Sequence, residues 1–442
     1  MWKDTNFRIG LISAIFTFSI LFVLPRIPIV VSNSILRVDS YIGGYEIRLP
    51  GGDTLDFTDF KKSIDFGGGN RLVYQIEESM GENVKKVFEE RLKASGYEDF
   101  RIGIAEQEPD KLLIEVPKHQ NVDDIEYLTQ GTGGLVIKEL IDPDSWDPED
   151  FSRYFSTPEL WKDTDISEKD VENIAVLSPR PDLVQLQFIF NEEGKEKFRK
   201  LVEESVGKPV ALHLDGSRYP AAIPIISDDL LNDPNINPVI TGPFNKKEME
   251  AFAVKVKLPK LELFPQYLGI GEVLSIYGDN FMRNVLLSLV IGFGISCAYL
   301  VFKYKHFGVL FSGVFLFGAL LLLSLHKLFF VVLNLHSLLG IVFSLGLFIY
   351  GLVLLGEKIN EGIKNKKPMD ICVVEAYKNS FKSIRLVGFS IFILFTPSFF
   401  VSKSDIRWFL ASISLGSLVF IMNHVLIIST LFEVLNFVRK KK

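Results

Sequence analysis

The side chains that could carry out chemistry are few and widely spaced. The two cysteines, Cys297 and Cys372, cannot form a metal cluster or a disulfide framework. His119 and His213 are isolated, and we interpret them as structural or merely exposed. The sequence also lacks a GxxxxGK[ST] phosphate loop, an HExxH zinc motif and a GxSxG nucleophile motif. We therefore expect no enzyme activity, no catalytic residue, no bound metal and no cofactor.

Charge is distributed unevenly along the 442 residues, whose formal net charge is −6. Residues 32–280 contain 28 Lys and Arg against 47 Asp and Glu, a balance of −19, whereas the remainder carries +13. An acidic block is a poor partner for phosphate backbones, so we expect no nucleic-acid binding. The basic remainder is strongly apolar, and this asymmetry indicates a membrane protein.

Six apolar stretches are long enough to cross a bilayer, which takes about 20 residues in a helix. They are Ile9–Leu24 with a continuation to Val31, Asn284–Phe302, Phe307–Leu325, Ser337–Leu355, Leu386–Val401 and Trp408–Phe432. No small-residue cleavage site follows the first stretch, so we interpret it as a retained anchor rather than a signal peptide. The amphipathic segment Met369–Ile384 predicts an interfacial helix before the fifth span.

Basic residues in the short loops predict the orientation in the membrane. If the N-terminus is cytoplasmic, the inside loops carry 15 Lys and Arg and the short outside loops carry 3. We therefore expect a multi-pass protein of the plasma membrane with both termini in the cytoplasm. The predicted domains are an anchor at 1–31, an extracytoplasmic domain at 32–280 and a five-helix membrane domain at 281–442.

The acidic block alternates between strand and helix patterns. Its first part predicts a split βαβ, ferredoxin-like sandwich, with strands at Arg71–Ile76, Leu112–Val116 and Gly134–Glu139 and helices at Gly81–Ser95 and Asp123–Thr129. The acidic, proline-containing stretch Asp142–Asp170 predicts a linker or long loop. A second set predicts strands at Val184–Asn191 and Pro209–Leu214, a helix capped by Asn191 that runs to Val206, and a helix at Asn245–Lys257.

Several segments resemble the SecD family of bacterial protein-export membrane subunits. Ser63–Leu72 (SIDFGGGNRL) is similar to the family signature GLDLxGGxxL. Phe188–Asp215 matches a strand, an NEEG helix start and a VGKPLAI-x-LDG strand. Val239–Phe244 and Gln266–Gly271 also resemble family segments. The motif residues that the resemblance singles out are Asp65, Gly67, Gly68, Gly69, Gly207, Lys208, Pro209, Asp215 and Gly216.

The resemblance implies a polytopic α-helical fold, six transmembrane helices that form one half of the resistance-nodulation-division type. It also implies an α+β ferredoxin-like extracytoplasmic domain, with a base at about 32–140 and 265–280 and a head at about 141–264. The implied partners are a separate SecF chain, the SecYEG channel, SecA, the translocating polypeptide and the lipid bilayer. The family is thought to use proton flow to pull exported chains outward.

One departure from the family concerns the fourth span, where members carry an Asp and an Asn two residues apart. Here Tyr350 occupies the Asp position and Leu352 the Asn position. An intramembrane carboxylate is energetically costly and marks proton or ion paths, whereas a tyrosine with a pKa of ~10 does not cycle protons at neutral pH. The acidic residues between Asn284 and Phe432 all fall in predicted loops: Glu357, Glu361, Asp370, Glu375 and Asp405.

Two interpretations of Tyr350 remain open: an aromatic ring that fills the space left by the carboxylate, or a hydroxyl in a relay completed by SecF carboxylates. The functional hypotheses are likewise two. The first is a SecD-like subunit that assists export mainly through its outer domain. The alternative is a non-transporting, membrane-anchored scaffold or holdase of the same fold, and a drug or lipid exporter is a weaker third.

Overall fold

A computed structural model describes residues 5–24, 26–32, 37–49, 54–180, 183–215, 217–232, 237–242, 245–278, 280–402, 405–428 and 430. Gly216, the end of Val239–Phe244 and the end of the sixth predicted span lie outside the described residues. The α-helices are α1 (Thr5–Val23), α2 (Ile64–Gly67), α3 (Gly81–Ala94), α4 (Val122–Thr129), α5 (Phe151–Ser156), α6 (Glu192–Ser205), α7 (Asp229–Asn232), α8 (Lys246–Lys257), α9 (Phe281–Tyr304), α10 (His306–Leu328), α11 (Leu335–Lys364), α12 (Met369–Val401) and α13 (Ile406–Met422).

The strands of the described residues form small antiparallel sheets. They are β1 (Ile27–Ser32), β2 (Arg37–Ile42), β3 (Tyr45–Arg48), β4 (Thr54–Phe57), β5 (Gly69–Gln75), β6 (Arg101–Ala105), β7 (Glu108–Pro117), β8 (Leu135–Leu140), β9 (Trp161–Ser167), β10 (Val171–Arg180), β11 (Leu183–Phe190), β12 (Val210–Leu214), β13 (Val239–Gly242) and β14 (Gln266–Val273). The chain divides into two compact units. We call 69–273 the β-rich unit, and we call the described residues up to Leu49, 54–68 and from Leu274 onward the helical unit.

Six described helices are long and apolar enough to cross a membrane: α1 and α9 to α13. They confirm the six spans predicted from hydropathy, but two details of the prediction are wrong. The first helix ends at Val23, just before Pro25, and Ile27–Ser32 forms β1 instead of continuing the anchor. Met369–Ile384 does not form a separate helix, because α12 runs unbroken for 33 residues from Met369 to Val401.

The core of the helical unit is supplied mainly by α10, α11 and α13. Its fully buried rings include Phe315, Phe348 and Phe420. Helices α9 and α12 are largely exposed within this chain, with buried shares of 6% and 11% over their apolar windows. Their apolar outer faces are therefore available to lipid or to another membrane protein.

The first sheet of the β-rich unit has the order β14-β5-β7-β6, and every neighbouring pair is antiparallel. Helix α3 connects β5 to β6, and α4 follows β7, which gives the predicted split βαβ connectivity. The predicted α3 is confirmed, with Val84, Val87 and Phe88 buried against the sheet and Gly96 (φ 83°) after its end. The rest of the unit is inserted between α4 and β14.

The strand predicted at 134–139 forms, but it lies in a different sheet from the one expected. Strand β8 pairs with β12 and β9, not with β5, β6 or β7. Gly131 (φ 78°) and Gly133 (φ 85°) turn the chain sharply between α4 and β8, in backbone conformations that L side chains rarely adopt. Leu135 and Ile137 then face the core of the inserted part.

The acidic stretch 142–170 is not a loop, and that prediction is wrong. It contains α5, β9 and several 3₁₀ turns, and it has a small core of its own around Tyr154 and Trp161. Its prolines begin turns rather than mark a flexible linker, since Pro143, Pro148 and Pro158 each stand at the start of a 3₁₀ turn. The second predicted set is confirmed: Asn191 caps α6 through Gly194, and Asn245 caps α8.

Candidate functional site

The SIDFGGG segment begins as a short helix on the helical unit. Ser63 stands at the N-cap of α2, and Asp65 lies in the first turn, where its backbone carbonyl accepts a hydrogen bond from Ser275 Oγ at 2.6 Å. Phe66 is 5% exposed and packs against the rings of Tyr277 and Phe281, with ring centroids 5.4 and 5.0 Å away. This buried ring anchors the turn in the apolar core of the helical unit.

Backbone hydrogen bonds also bind this segment to the connection between α10 and α11. The amide of Ser63 donates to Leu333 O at 3.0 Å, and the amide of Leu333 donates to Lys61 O at 2.7 Å. Two such bonds form a short parallel bridge, so the segment is held by backbone and apolar contacts together.

Each of the three glycines of the motif is required for a different structural reason. Gly68 has φ 67°, a left-handed conformation that favours glycine. Gly69 is the first residue of β5, where an added Cβ would lie 2.1 Å from Val116 O on the paired strand. A Cβ on Gly67 would meet Lys62 Cβ at 3.0 Å. Close backbone packing thus explains the run without a ligand.

The second motif, Gly207-Lys208-Pro209, turns the chain from α6 into β12 and holds a neighbouring segment. Gly207 has φ 73°, and its amide donates to Ile226 O at 2.9 Å. The amide of Ile226 donates back to Lys208 O at 3.0 Å, and Pro209 forms an isolated bridge with Ile225. The motif therefore fixes the segment around residues 222–226 beside β12.

That segment forms one wall of an apolar cavity of about 340 Å³ in the β-rich unit. Side chains from β11, β12 and α6 form the other walls, among them Phe188, Phe190, Phe198 and Leu212. Ile225 lines the cavity and is 53% exposed, so an apolar side chain stands at its mouth. Such a cavity suits aliphatic or aromatic side chains of a partner rather than a polar small molecule.

Asp215 directly follows β12 in a left-handed conformation (φ 54°) and accepts a hydrogen bond from the Gly133 amide at 2.6 Å. Lys255 of α8 lies 3.5 Å from its other carboxylate oxygen and also donates to Gln130 O. Arg91 of α3 is fully buried, and its guanidinium donates to backbone carbonyls of the same 128–132 connection. We call Arg91, Asp215 and Lys255 the Asp215 cluster.

The Asp215 cluster contains two cations and one carboxylate. Burial lowers the pKa of Arg91 to about 10, and the charge of Asp215 opposes that shift. Burial likewise lowers the pKa of Lys255, against the attraction of Asp215. The carboxylate is thus the one described anion that compensates both cations. The cluster holds α3, α8 and the end of β12 around the turn that leads into β8.

The structure separates the two positions singled out in the fourth span. Tyr350 of α11 is 49% exposed on the surface of the chain, whereas Leu352 is 1% exposed in the core. Tyr350 therefore fills no space within the described core of this chain. Four of the five acidic residues that were predicted in loops lie in helices instead. Glu357 and Glu361 are on the last turns of α11, and Asp370 and Glu375 are on the first two turns of α12. Glu357 pairs with Lys303 at 2.6 Å and is half exposed.

Sequence reasoning missed two buried histidines in the spans. His326 of α10 contacts Leu322 O at 2.8 Å and Ser412 Oγ at 2.9 Å. His424, after α13, packs so closely on α11 that a Cβ on Gly351 would lie 2.5 Å from its Cε1. The sequence could have indicated both histidines, since each one interrupts an apolar stretch. None of the described acidic residues of the helical unit is buried, so these imidazoles are notable polar groups of its interior.

Comparisons with known proteins agree with this architecture. No protein-family model matches the chain. The chain is 25% identical over 367 residues to the protein translocase subunit SecD of Acidaminococcus fermentans, which covers 81% of this chain and 82% of that protein. It is 22% identical over 377 residues to SecD of Leptotrichia buccalis, covering 84% of this chain and 88% of that protein. The resemblance of this chain to SecD is confirmed.

Solved structures show the same fold. A crystal structure of SecDF in a super-membrane-facing form matches 98% of this SecD-like chain with a TM-score of 0.71 at 19% identity. SecDF from Thermus thermophilus, described as a translocon-associated membrane protein, matches 98% with a TM-score of 0.50. The chain spans 57% and 59% of the length of those two proteins. With six apolar helices and SecD relatives, it is a multi-pass membrane protein.

Proposed function

We propose that this chain is a SecD-like subunit of the Sec protein-export machinery and assists the movement of polypeptides across the plasma membrane. The main support for the proposal is how much of the chain resembles SecD subunits and SecDF structures. Similarity to SecD subunits covers more than 80% of the chain, and the SecDF fold covers both the helical unit and the β-rich unit.

The arrangement in the cell follows from the charge pattern. Both termini lie in the cytoplasm and residues 32–280 lie outside it, because positive charge is concentrated in the loops that this orientation places inside. The sheet β14-β5-β7-β6 belongs to the base and the inserted part to the head. The partners are a separate SecF chain, which supplies a second membrane half, the SecYEG channel, SecA and the exported polypeptide.

The exported chain meets the cavity of the β-rich unit. Ile225 and Tyr219 provide a matched pair for a test, since both lie on the segment before β13 and are 53% and 52% exposed, but only Ile225 lines the cavity. A photo-crosslinking amino acid at Ile225 is expected to trap a stalled export substrate, and the same group at Tyr219 is not. Equal crosslinking at the two positions would remove the cavity from the proposal.

Tyr350, at the fourth-span position, takes no part in any proton path of this protein. In a cell that lacks its own SecD, Tyr350→Phe is expected to support export as well as the unchanged chain, since the ring is half exposed and keeps its packing without the hydroxyl. Tyr350→Asp is expected to impair export or insertion, because it places a carboxylate on an exposed helix face. A large loss with Tyr350→Phe would show that the hydroxyl takes part in a relay.

The second candidate function is a membrane-anchored scaffold or holdase that couples no energy. Two features favour it: no described acidic side chain of the helical unit is buried, and the β-rich unit has an apolar cavity. Co-purification in mild detergent separates the two functions. Recovery of SecY and SecF with this chain supports the export subunit, whereas reproducible absence of both supports the scaffold.

A further inference from the structure

A small aromatic surface projects from the β-rich unit around α5. Phe151 and Phe155 point outward from this helix, with exposed fractions of 38% and 36%, and their rings meet edge to face at 5.4 Å. Trp146 extends the group, with its ring centroid 6.0 Å from that of Phe151. Ile141, at the start of the same stretch of chain, is 56% exposed. Adjacent exposed aromatic groups of this kind are typical of interaction sites.

The backbone and buried neighbours hold these rings in place. Tyr154 lies on the inward face of α5 at 1% exposed, and its hydroxyl donates to Ser145 O at 2.7 Å and accepts from the Asp147 amide at 2.9 Å. The Trp161 indole donates to Tyr154 O at 3.0 Å, and Trp146 packs on the Tyr154 ring at 4.7 Å. The surface is therefore preorganised, which lowers the entropy cost of binding a partner.

Exposed carboxylates flank this aromatic group along the chain. Five acidic residues stand within nine positions, and every one is exposed: Asp142, Asp144, Asp147, Glu149 and Asp150. Residues 141–155 contain one basic side chain, the exposed Arg153 of α5, against these five acidic ones. The described ion pair to this group is a long one, from Lys208 Nζ to Asp144 at 3.4 Å, and Asp144 is 96% exposed. The rim therefore carries a net negative charge that repels anionic lipid headgroups and acidic proteins.

We propose that this acid–aromatic surface, formed by Trp146, Phe151 and Phe155 with their acidic rim, binds basic amphipathic segments of polypeptides. Apolar side chains of such a segment pack on the exposed rings, and its Lys and Arg side chains face the carboxylates. Arginine gains further from stacking on an aromatic face. The site is distinct from the apolar cavity, and the proposal does not depend on a role in export, because it is tested by binding to the chain alone.

The test measures fluorescence anisotropy of labelled peptides with the purified full chain in detergent. The probes are a peptide of alternating Leu and Lys, one of alternating Leu and Glu, and one of alternating Ser and Lys. We expect the Leu–Lys peptide to bind at least tenfold more tightly than the other two, with affinity that falls as salt screens the rim. Equal binding of the Leu–Glu peptide, or no binding of the Leu–Lys peptide, overturns the proposal.

Paired variants locate the binding. The double variant Phe151→Ser and Phe155→Ser removes the outward rings while Tyr154 keeps its contacts, and Glu149→Gln with Asp150→Asn removes charge from the rim. Each is expected to weaken binding at least tenfold, whereas Phe264→Ser, at a residue 57% exposed elsewhere on the surface, is expected to leave it unchanged. Unchanged binding in both double variants refutes the site.

Hydrogen exchange of the Asp147 amide in the same variants shows that the surface remains folded, because this amide is protected by Tyr154 Oη. If that protection is lost in the serine double variant, the rim variant alone decides the outcome. Failure of the chain to support export with peptide binding intact would refute the proposed function and leave this inference standing.

Discussion

Removing the carboxylate of Asp215 should loosen the connection between the first sheet and the inserted part of the β-rich unit. Asp215→Ala deletes the acceptor of the Gly133 amide and leaves the buried charges of Arg91 and Lys255 without their anion. It also places alanine at φ 54°, a conformation that costs roughly 1–2 kcal/mol for an ordinary side chain.

The size of the effect follows from burial. Breaking a buried ion pair on one side costs about 3–5 kcal/mol. The Asp215 side chain is 24% exposed and Lys255 lies 3.5 Å away, so we expect a smaller cost than a fully buried pair would have, about 2–4 kcal/mol. Asp215→Asn keeps an acceptor oxygen and tolerates the left-handed conformation. It loses only the charge, for which we expect about 1–2 kcal/mol.

Hydrogen–deuterium exchange of the full chain measures the loss locally, through the ladder amides of β8 and β12. Since about 1.4 kcal/mol is a factor of ten, Asp215→Ala should lower their protection roughly thirty-fold to nearly a thousand-fold, and Asp215→Asn roughly five-fold to thirty-fold. The control is Asp165→Ala, at an exposed acidic residue of β9. If both Asp215 variants exchange like the control, the cluster does not hold this junction and the reasoning fails.

Two further predictions concern a glycine in the helical unit and a histidine in the β-rich unit. Gly351→Ala should cost roughly 1–3 kcal/mol through overpacking, because its Cβ would lie 2.5 Å from His424. Gly346→Ala has no neighbouring atom within 4 Å and should be neutral or stabilising by up to about 1 kcal/mol, since alanine favours a helix interior. Thermal unfolding in detergent compares the two variants, and equal midpoints would contradict the packing. Burial lowers the pKa of His213 below 6.5 against the opposing effect of the Ser217 carbonyl, so the folded state disfavours the proton and stability is lost as pH falls below 6.5. The protection of the β12 amides should therefore fall as pH drops through 6.5, and His213→Gln should abolish this dependence.

The spacing of apolar residues was sufficient to predict the long helices and strands, because each of them buries one apolar face and that face gives a regular spacing in the sequence. Helix α3 is the example: Val84, Val87 and Phe88 recur at helical spacing and all face the first sheet. The segment 142–170 was wrongly predicted as a loop because it lacks such a spacing. There the acidic residues and prolines dominate the composition, while the small core depends on Tyr154 and Trp161, which are too few to show a period.

The partner of β8 could not be predicted from its own sequence, since Leu135 and Ile137 would suit a core face in either sheet. What decides the pairing is the turn at Gly131 and Gly133, whose conformation becomes visible only in the backbone. The role of Asp215 could not be predicted either. Arg91 lies more than a hundred positions before it in the chain, and Lys255 lies forty positions after it. Sequence spacing does not reveal such contacts.

The two fourth-span positions show how helix geometry limits what a motif can do. Residues i and i+2 of an α-helix do not face each other, so Tyr350 and Leu352 cannot both point into the same core. The structure places Leu352 inside and Tyr350 on the surface. A carboxylate at position 350 would therefore face lipid or a second membrane protein, not the interior of this chain. A polar function at position 350 accordingly needs the surface of a partner protein. The polar groups in the interior of this chain are instead side chains such as His326 and His424.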